Sequence, residues 1–221
     1  MDYRTIEDDD SKKEQALHPA LHGADVKLEQ RTLWRRFFEA GTEMIVTRAG
    51  RRMFPTLQFR IGGLLPDVFY SISVDFRPLK RTRYRYSFQQ SRWLPAGAGD
   101  VEAPPRKFVH GSSPQKGGYW CAQPVGFERV KLTNNQMDEN GFIILNSMHR
   151  YQPRLCVAVV QSCRDSRQNC DFQLERYFEF PEAAFMAVTA YQNHTITQLK
   201  IACNPFAKGF RDVHDLGWLV G

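Results

Sequence analysis

From Val26 onward, aromatic and β-branched residues recur in short runs separated by turn signals: Gly62-Gly63, Pro66-Asp67, Gly97 to Gly99, Pro104-Pro105, Gly117-Gly118 and Asn140-Gly141. Frequent reversals of short apolar runs predict an all-β sandwich or barrel. The expected strands are Met44 to Thr47, Thr56 to Ile61, Phe69 to Pro78, Arg83 to Phe88, Phe142 to Ile144, Arg154 to Val160, Gln173 to Phe180 and Phe185 to Thr189. With 221 residues, 42% of them hydrophobic, the chain can bury one sizeable core and is short for two.

Two segments follow a helical period instead. Gln30 to Ala40 places Leu33, Trp34, Phe37 and Phe38 on one face, and Gly41 follows as a stop. Asn193 can cap a helix running through Ile196, Leu199 and Lys200, after which Asn204-Pro205 reads as a second cap with proline at the first helical position. Residues 1–25 are polar and acidic with almost no aromatics, and are expected to form a disordered leader.

Charge narrows the partners. The formal net charge is +6, and residues 1–25 hold seven acids against three bases, which leaves the remainder at +10. A folded part that basic suits a polyanion, because cations that meet phosphates release condensed counterions. No run of 18 apolar residues exists, and the start MDYRTIEDDDSKKE lacks an apolar signal core, so neither a membrane partner nor secretion is expected. The Asn193-His194-Thr195 sequon is discounted for the same reason. The five cysteines, odd in number and without close CxxC pairs, are read as reduced thiols, mostly in the core.

Catalytic signatures are missing: there is no GxSxG, HExxH, GxxxxGK[ST] or GxGxxG. The six histidines are scattered apart from His18 and His22. The chain is therefore expected to be no enzyme and to hold no metal or cofactor.

Two segments combine cations with flat apolar groups. In Thr47 to Pro55 (TRAGRRMFP), a glycine-bearing turn presents Arg51 and Arg52. Such a pair is either a solvated basic turn or a guanine reader, since a guanidinium fork fits O6 and N7 in the major groove. In Asn204 to Asp212 (NPFAKGFRD), Phe206 and Phe210 share a face beside Lys208 and Arg211. Those rings either dock into the core or enter a minor groove.

Taken in order, GTEMIVTRAGRRMFP (Gly41 to Pro55), RYRY (Arg83 to Tyr86), VKLTNN (Val130 to Asn135), IILNSMHRYQPR (Ile143 to Arg154), AVTAYQNHTITQLKI (Ala187 to Ile201) and NPFAKGFRD (Asn204 to Asp212) closely resemble the T-box family over roughly 180 residues. The resemblance implies an immunoglobulin-like, p53-like β-sandwich at 26–214, between the leader and a short tail at 215–221. It also implies a nuclear transcription factor regulating RNA polymerase II transcription through AGGTGTGA-type half-sites of double-stranded DNA. Two copies pairing on a palindrome and transcriptional co-regulators are further partners it raises. By the same resemblance Arg51 reads a guanine and Arg52 meets phosphate. Pro205, Phe206 and Phe210 sit at a widened minor groove, and Lys131, Thr133, Thr197, Lys200, Lys208 and Arg211 contact the backbone. Trp34, Phe37, Trp93, Trp120 and Tyr151 are expected in or near the core, with Tyr191, Gln192 and Asn193 positioning the following helix. The sequence departs from the family at Gly97-Ala98-Gly99-Asp100 and His110-Gly111-Ser112-Ser113-Pro114. Two rivals stand beside this reading: a β-barrel for RNA or single strands, and a protein-interaction sandwich with an incidental basic face.

Overall fold

Nine register pairs join strands Phe69–Pro78 and Arg150–Val159, from Tyr151 opposite Pro78 to Val159 opposite Tyr70. This antiparallel pair is the centre of the fold in the computed structural model, which describes residues 16–160 and 172–206. Outward from it the sheet continues through Phe185–Val188 to Glu43–Ile45 on one side and to Gln115–Lys116 on the other. Strand Glu175–Glu179 also pairs with Arg150–Val159, and Phe108–Val109 with Phe69–Pro78.

Three smaller sheets complete the architecture: Val125–Gly126, Gln58–Gly62 and Asp25–Leu28; Ile143–Ile144, Lys131–Thr133 and Arg51–Arg52; and the hairpin Thr82–Ser87 with Arg92–Ala98. Ala16–Leu17 pairs separately with Phe172–Gln173. The inward side chains meet in one continuous core, where Trp34, Phe59, Tyr70, Ile72, Leu132, Tyr151, Leu155 and Phe185 are all buried. Removing that apolar area from water is what holds the layers together. The all-β sandwich expectation holds.

Strand Phe69–Pro78 reads as a nearly continuous buried run because it lies inside the sheet and is covered on both faces. That burial includes a carboxylate. Asp75 accepts two hydrogen bonds from Arg154 directly across the ladder, at 2.8 and 2.7 Å, and the guanidinium stacks 4.4 Å from the Tyr177 ring centroid. A fork with two parallel bonds and an aromatic cover meets the demands of a charge taken out of water.

Among the described residues, four α-helical segments, α1 (Pro19–His22), α2 (Arg31–Ala40), α3 (Gly117–Ala122) and α4 (His194–Cys203), and the 3₁₀ turn Pro181–Ala183 decorate the sheets. Helix α2 buries Trp34 and Phe37 and ends at Gly41, whose φ of +84° closes the last turn, as its apolar stripe predicts. Residues 16–25, which the expected leader would include, pack onto the fold. Ala20, Leu21 and Ala24 are buried, Tyr70 donates its hydroxyl to the Ala20 carbonyl at 2.9 Å, and Arg176 donates to the Leu21 carbonyl at 2.8 Å. Few as they are, these apolar residues fill a gap in the core, which average polarity over the segment hides. Residues 1–15 and the tail at 215–221 lie outside the described residues.

Candidate nucleic-acid interface

The turn Thr47–Gly50 projects two arginines because its last residue is glycine. Gly50 sits at φ +75°, its amide donates to the Thr47 carbonyl at 3.1 Å, and an added Cβ would fall 2.5 Å from Cδ2 of Phe142. Both the backbone angle and the close ring exclude a side chain. The chain then enters strand Arg51–Arg52, which runs antiparallel to Lys131–Thr133 with Arg52 opposite Lys131 and Arg51 opposite Leu132.

Arg51 and Arg52 are exposed, and Lys131 is half-buried with its ammonium 4.9 Å from the Phe142 ring centroid. None of the three forms an ion pair among the described residues. Like charges directly opposite across a ladder disfavour the pairing. A polyanion laid over this surface would relieve that repulsion, which a solvated turn has no reason to build.

Thr133 has a different place from the expected backbone contact. It is fully buried, its Oγ1 donates to the Thr47 carbonyl at 2.8 Å, and that same oxygen accepts from the Asn135 amide at 3.0 Å. It ties the arginine-bearing turn to the neighbouring strand. Thr133 shares its strand face with Lys131 but is covered by the arginine-bearing turn itself, so its hydroxyl serves the Thr47 and Arg48 carbonyls of that turn.

Helix α4 is anchored at its N-terminus by a buried acid. Glu43, with no exposed surface, accepts hydrogen bonds from the Gln192 amide at 2.8 Å, the Asn193 amide at 3.2 Å and the Trp93 indole at 3.1 Å. Burial raises its pKa, while the amide and indole donors oppose that rise. A carboxylate before a helix start also faces the positive end of the helix dipole. Asn193 caps the helix as expected, accepting from the Thr195 amide at 2.9 Å, and its Nδ2 donates to the Ala40 carbonyl at 2.6 Å.

Lys200 departs from its expected role at the phosphate backbone. It is 5% exposed, and its ammonium donates to the Phe54 carbonyl and lies between the rings of Phe37 and Tyr191, at 5.3 and 5.4 Å from their centroids. Burial brings its pKa down to about 7, Glu43 pulls it back up, and nearby Arg51 lowers it further. The side chain leaves α4 on the inner face, so it braces the helix against the segment that carries the arginines. Thr197 is half-buried, with its hydroxyl 3.4 Å from the Asn193 carbonyl.

Past α4 the chain turns outward. Asn204 closes the helix through its amide to Lys200 O at 3.0 Å, its Oδ1 accepts from the Phe206 amide at 3.0 Å, and Pro205 opens a 3₁₀ turn. Phe206 is 93% exposed, so among the two readings of this ring the core is removed. Lys208, Phe210 and Arg211 lie outside the described residues. Sequence reasoning missed Glu43 and Phe142. Both are short of any local signal, because a polar residue inside a short strand is assigned to the wet face and a ring beside a turn to the core.

The family model for T-box matches residues 26–212. The T-box transcription factor TBX1 of Danio rerio is 53% identical over 203 residues, which cover 91% of this chain and 44% of that protein. The T-box transcription factor TBX10 of Mus musculus is 52% identical over 203 residues, 92% of this chain and 52% of its own length. The T-box transcription factor mls-1 of Caenorhabditis elegans is 52% identical over 187 residues, 85% of this chain and 71% of its own length. The chain thus spans about half the length of the first two relatives.

Proposed function

Because this chain belongs to the T-box family, we propose that it is a sequence-specific binder of double-stranded DNA that regulates transcription by RNA polymerase II in the nucleus, reading AGGTGTGA-type half-sites. One observation carries the reading: Arg51, Arg52 and Lys131, without ion pairs among the described residues, stand on two adjacent strands shaped by Gly50 and tied together by Thr133, and the region's helix α4 leads to a fully presented Phe206. A rigid fork is suited to bidentate base recognition, and a projecting ring to a widened minor groove.

In this assignment Arg51 reads guanine, and Arg52, Lys131 and Thr197 set the register on phosphates. Pro205 and Phe206 enter the minor groove, with Phe210 beside them and Lys208 and Arg211 on the flanking backbone. Lys200 and Thr133 act from behind, holding the reading elements in place. Contacts that position and contacts that specify should separate on mutation.

The test is selection of bound duplexes from a random pool, followed by Arg51→Ala. The selected site should contain the half-site guanine, and the variant should lose about 1–3 kcal/mol of preference there. Retention of the wild-type ratio between specific and scrambled duplexes by Arg51→Ala would sink the assignment. A preference for single strands over duplex would replace the whole reading with the barrel that stacks bases.

A further inference from the structure

Lys131 carries its charge on a long flexible stem, and ordering such a side chain on a phosphate costs binding energy unless the fold has ordered it beforehand. The neighbouring strand supplies a fixture. Ile143–Ile144 runs parallel to Lys131–Thr133 with Ile143 opposite Leu132, so Phe142 arrives beside Lys131. Leu132 and Ile143 are both buried, and alternation puts Lys131 and Phe142 together on the other face. There the Lys131 ammonium lies 4.9 Å from the Phe142 ring centroid.

The ring is itself clamped. Asp138, whose side chain has no exposed surface, accepts from the Phe142 amide at 2.9 Å, the Arg106 guanidinium at 2.8 Å and the Asn140 side-chain amide at 3.1 Å. Arg106 donates in turn to the Phe142 carbonyl at 2.9 Å and to the Asp138 carbonyl at 2.7 Å. Both backbone groups of Phe142 are thus tied to one ion pair. The ring also abuts the arginine-bearing turn, where a Cβ added to Gly50 would lie 2.7 Å from its Cε2 and 3.4 Å from Cβ of Lys131. A lysine resting on a ring held this firmly has given up rotamer freedom before any ligand arrives.

We infer that Phe142 is a positioning residue for DNA binding: its ring, fixed by the Asp138–Arg106 pair, holds the Lys131 ammonium ready for a phosphate and keeps it there in the complex. The inference rests on the proposed duplex reading and adds to it a residue that acts through Lys131. The ring covers one side of the ammonium and leaves its other hydrogens to phosphate oxygens. Contacts to phosphate carry no sequence information, so this support sets affinity and leaves the choice of base to Arg51.

The test is a double-mutant cycle on the full chain with the duplex selected from the random pool. Phe142→Leu should weaken binding roughly two- to tenfold, as the ordering of one long side chain implies. Phe142→Tyr, which keeps the ring, should bind as the wild type does, and both variants should retain the guanine preference. In a Lys131→Met background, Phe142→Leu should leave affinity unchanged, because the two side chains act as one unit. Independently, the Lys131 CεH2 protons of the wild type should resonate upfield of those of the exposed Lys27 and Lys80, shielded by the ring, with and without duplex.

Additive effects in the cycle, or a lost guanine preference in Phe142→Leu, would make the ring a support of the turn and not of Lys131. Tighter binding by Phe142→Leu would show that the ring withholds the ammonium. Loss of the upfield position when duplex is added would show the same, and that measurement decides even if Phe142→Leu fails to fold. A wild type with no preference for the selected duplex would end the duplex reading itself, and this inference with it, whether or not the Lys131 protons are shielded.

Discussion

The Glu43 carboxylate and the Asn193 amide stand 150 residues apart in the chain, and 3.2 Å separates them in the fold. Through this contact and the matching bond to Gln192, the strand before the arginine turn fixes where helix α4 begins. Glu43 also holds the Trp93 indole, so three elements share one acid. Glu43→Gln keeps the shape but cannot accept from all three donors as well as the carboxylate does. The expected cost is ~1–3 kcal/mol of stability, with the amides of Gln192 and Asn193 exchanging faster with solvent. Urea unfolding and amide hydrogen exchange read both effects, and unchanged exchange at those amides would refute the anchoring role.

Lys200 predicts an unusual pH response. Its folded pKa, about 7, lies below the unfolded value of 10.5, so between those values the unfolded chain binds more protons than the folded one. Stability from this group must then rise with pH from about 7, and the penalty is full at lower pH. Unfolding free energies measured between pH 7 and 9 should climb in the wild type and lose that climb in Lys200→Met. The window stops there because the Cys156 thiol, its pKa raised above 9.0 chiefly by burial, contributes with the opposite sign at higher pH.

Gly50→Ala should damage both fold and binding. The substitution meets a φ of +75° and places a carbon 2.5 Å from the Phe142 ring, so the turn must shift and carry Arg51 with it. A loss of about 1–3 kcal/mol is expected from the strained backbone alone. Adding Phe142→Leu should recover only the part due to the ring. Chemical denaturation alongside duplex titration separates the two parts.

Phe206→Ala should do the reverse. Because the ring is 93% exposed, its removal should change stability by no more than ~0.5 kcal/mol. Duplex affinity should fall. A variant that unfolds readily, or that binds duplex as the wild type does, would contradict a ring presented for the groove.

Lys131 and Thr133, two positions apart on one strand, should respond oppositely. Lys131→Ala should weaken all duplexes alike and flatten the salt dependence by about one phosphate contact, with little effect on folding. Thr133→Val should cost ~1–2 kcal/mol of stability, since its hydroxyl is bonded to Thr47 and Asn135, and leave the salt slope in place. Affinity at several salt concentrations checks the first, and thermal unfolding checks the second.

Where the periodic signal is strong, the chain itself wrote the structure. Phe69–Pro78 forms as expected, α2 presents Trp34 and Phe37 inward, and Asn193 caps α4. Strand Arg92–Ala98 escaped notice because Pro95, Gly97 and small residues interrupt its alternation. The strand expected from Arg154 starts at Arg150, since the polar and proline-bearing stretch Arg150 to Pro153 reads as loop until Pro78, Arg77 and Phe76 are seen across the ladder from it.

Residue order alone thus settled the fold class, helices α2 and α4 and, through its motifs, the family, but not α1 or α3, the latter beginning at the Gly117-Gly118 pair expected to be a turn. It could not settle which of the polar side chains in those motifs face water. Lys200 is stowed beneath Phe54, a partner 146 residues away, and Thr133 bonds Thr47, 86 residues away. Local pattern tells a side chain's direction relative to its own backbone. Whether that direction ends in solvent or against a distant carbonyl is decided only when the sheets close over one another, because burial is a property of the assembled layers.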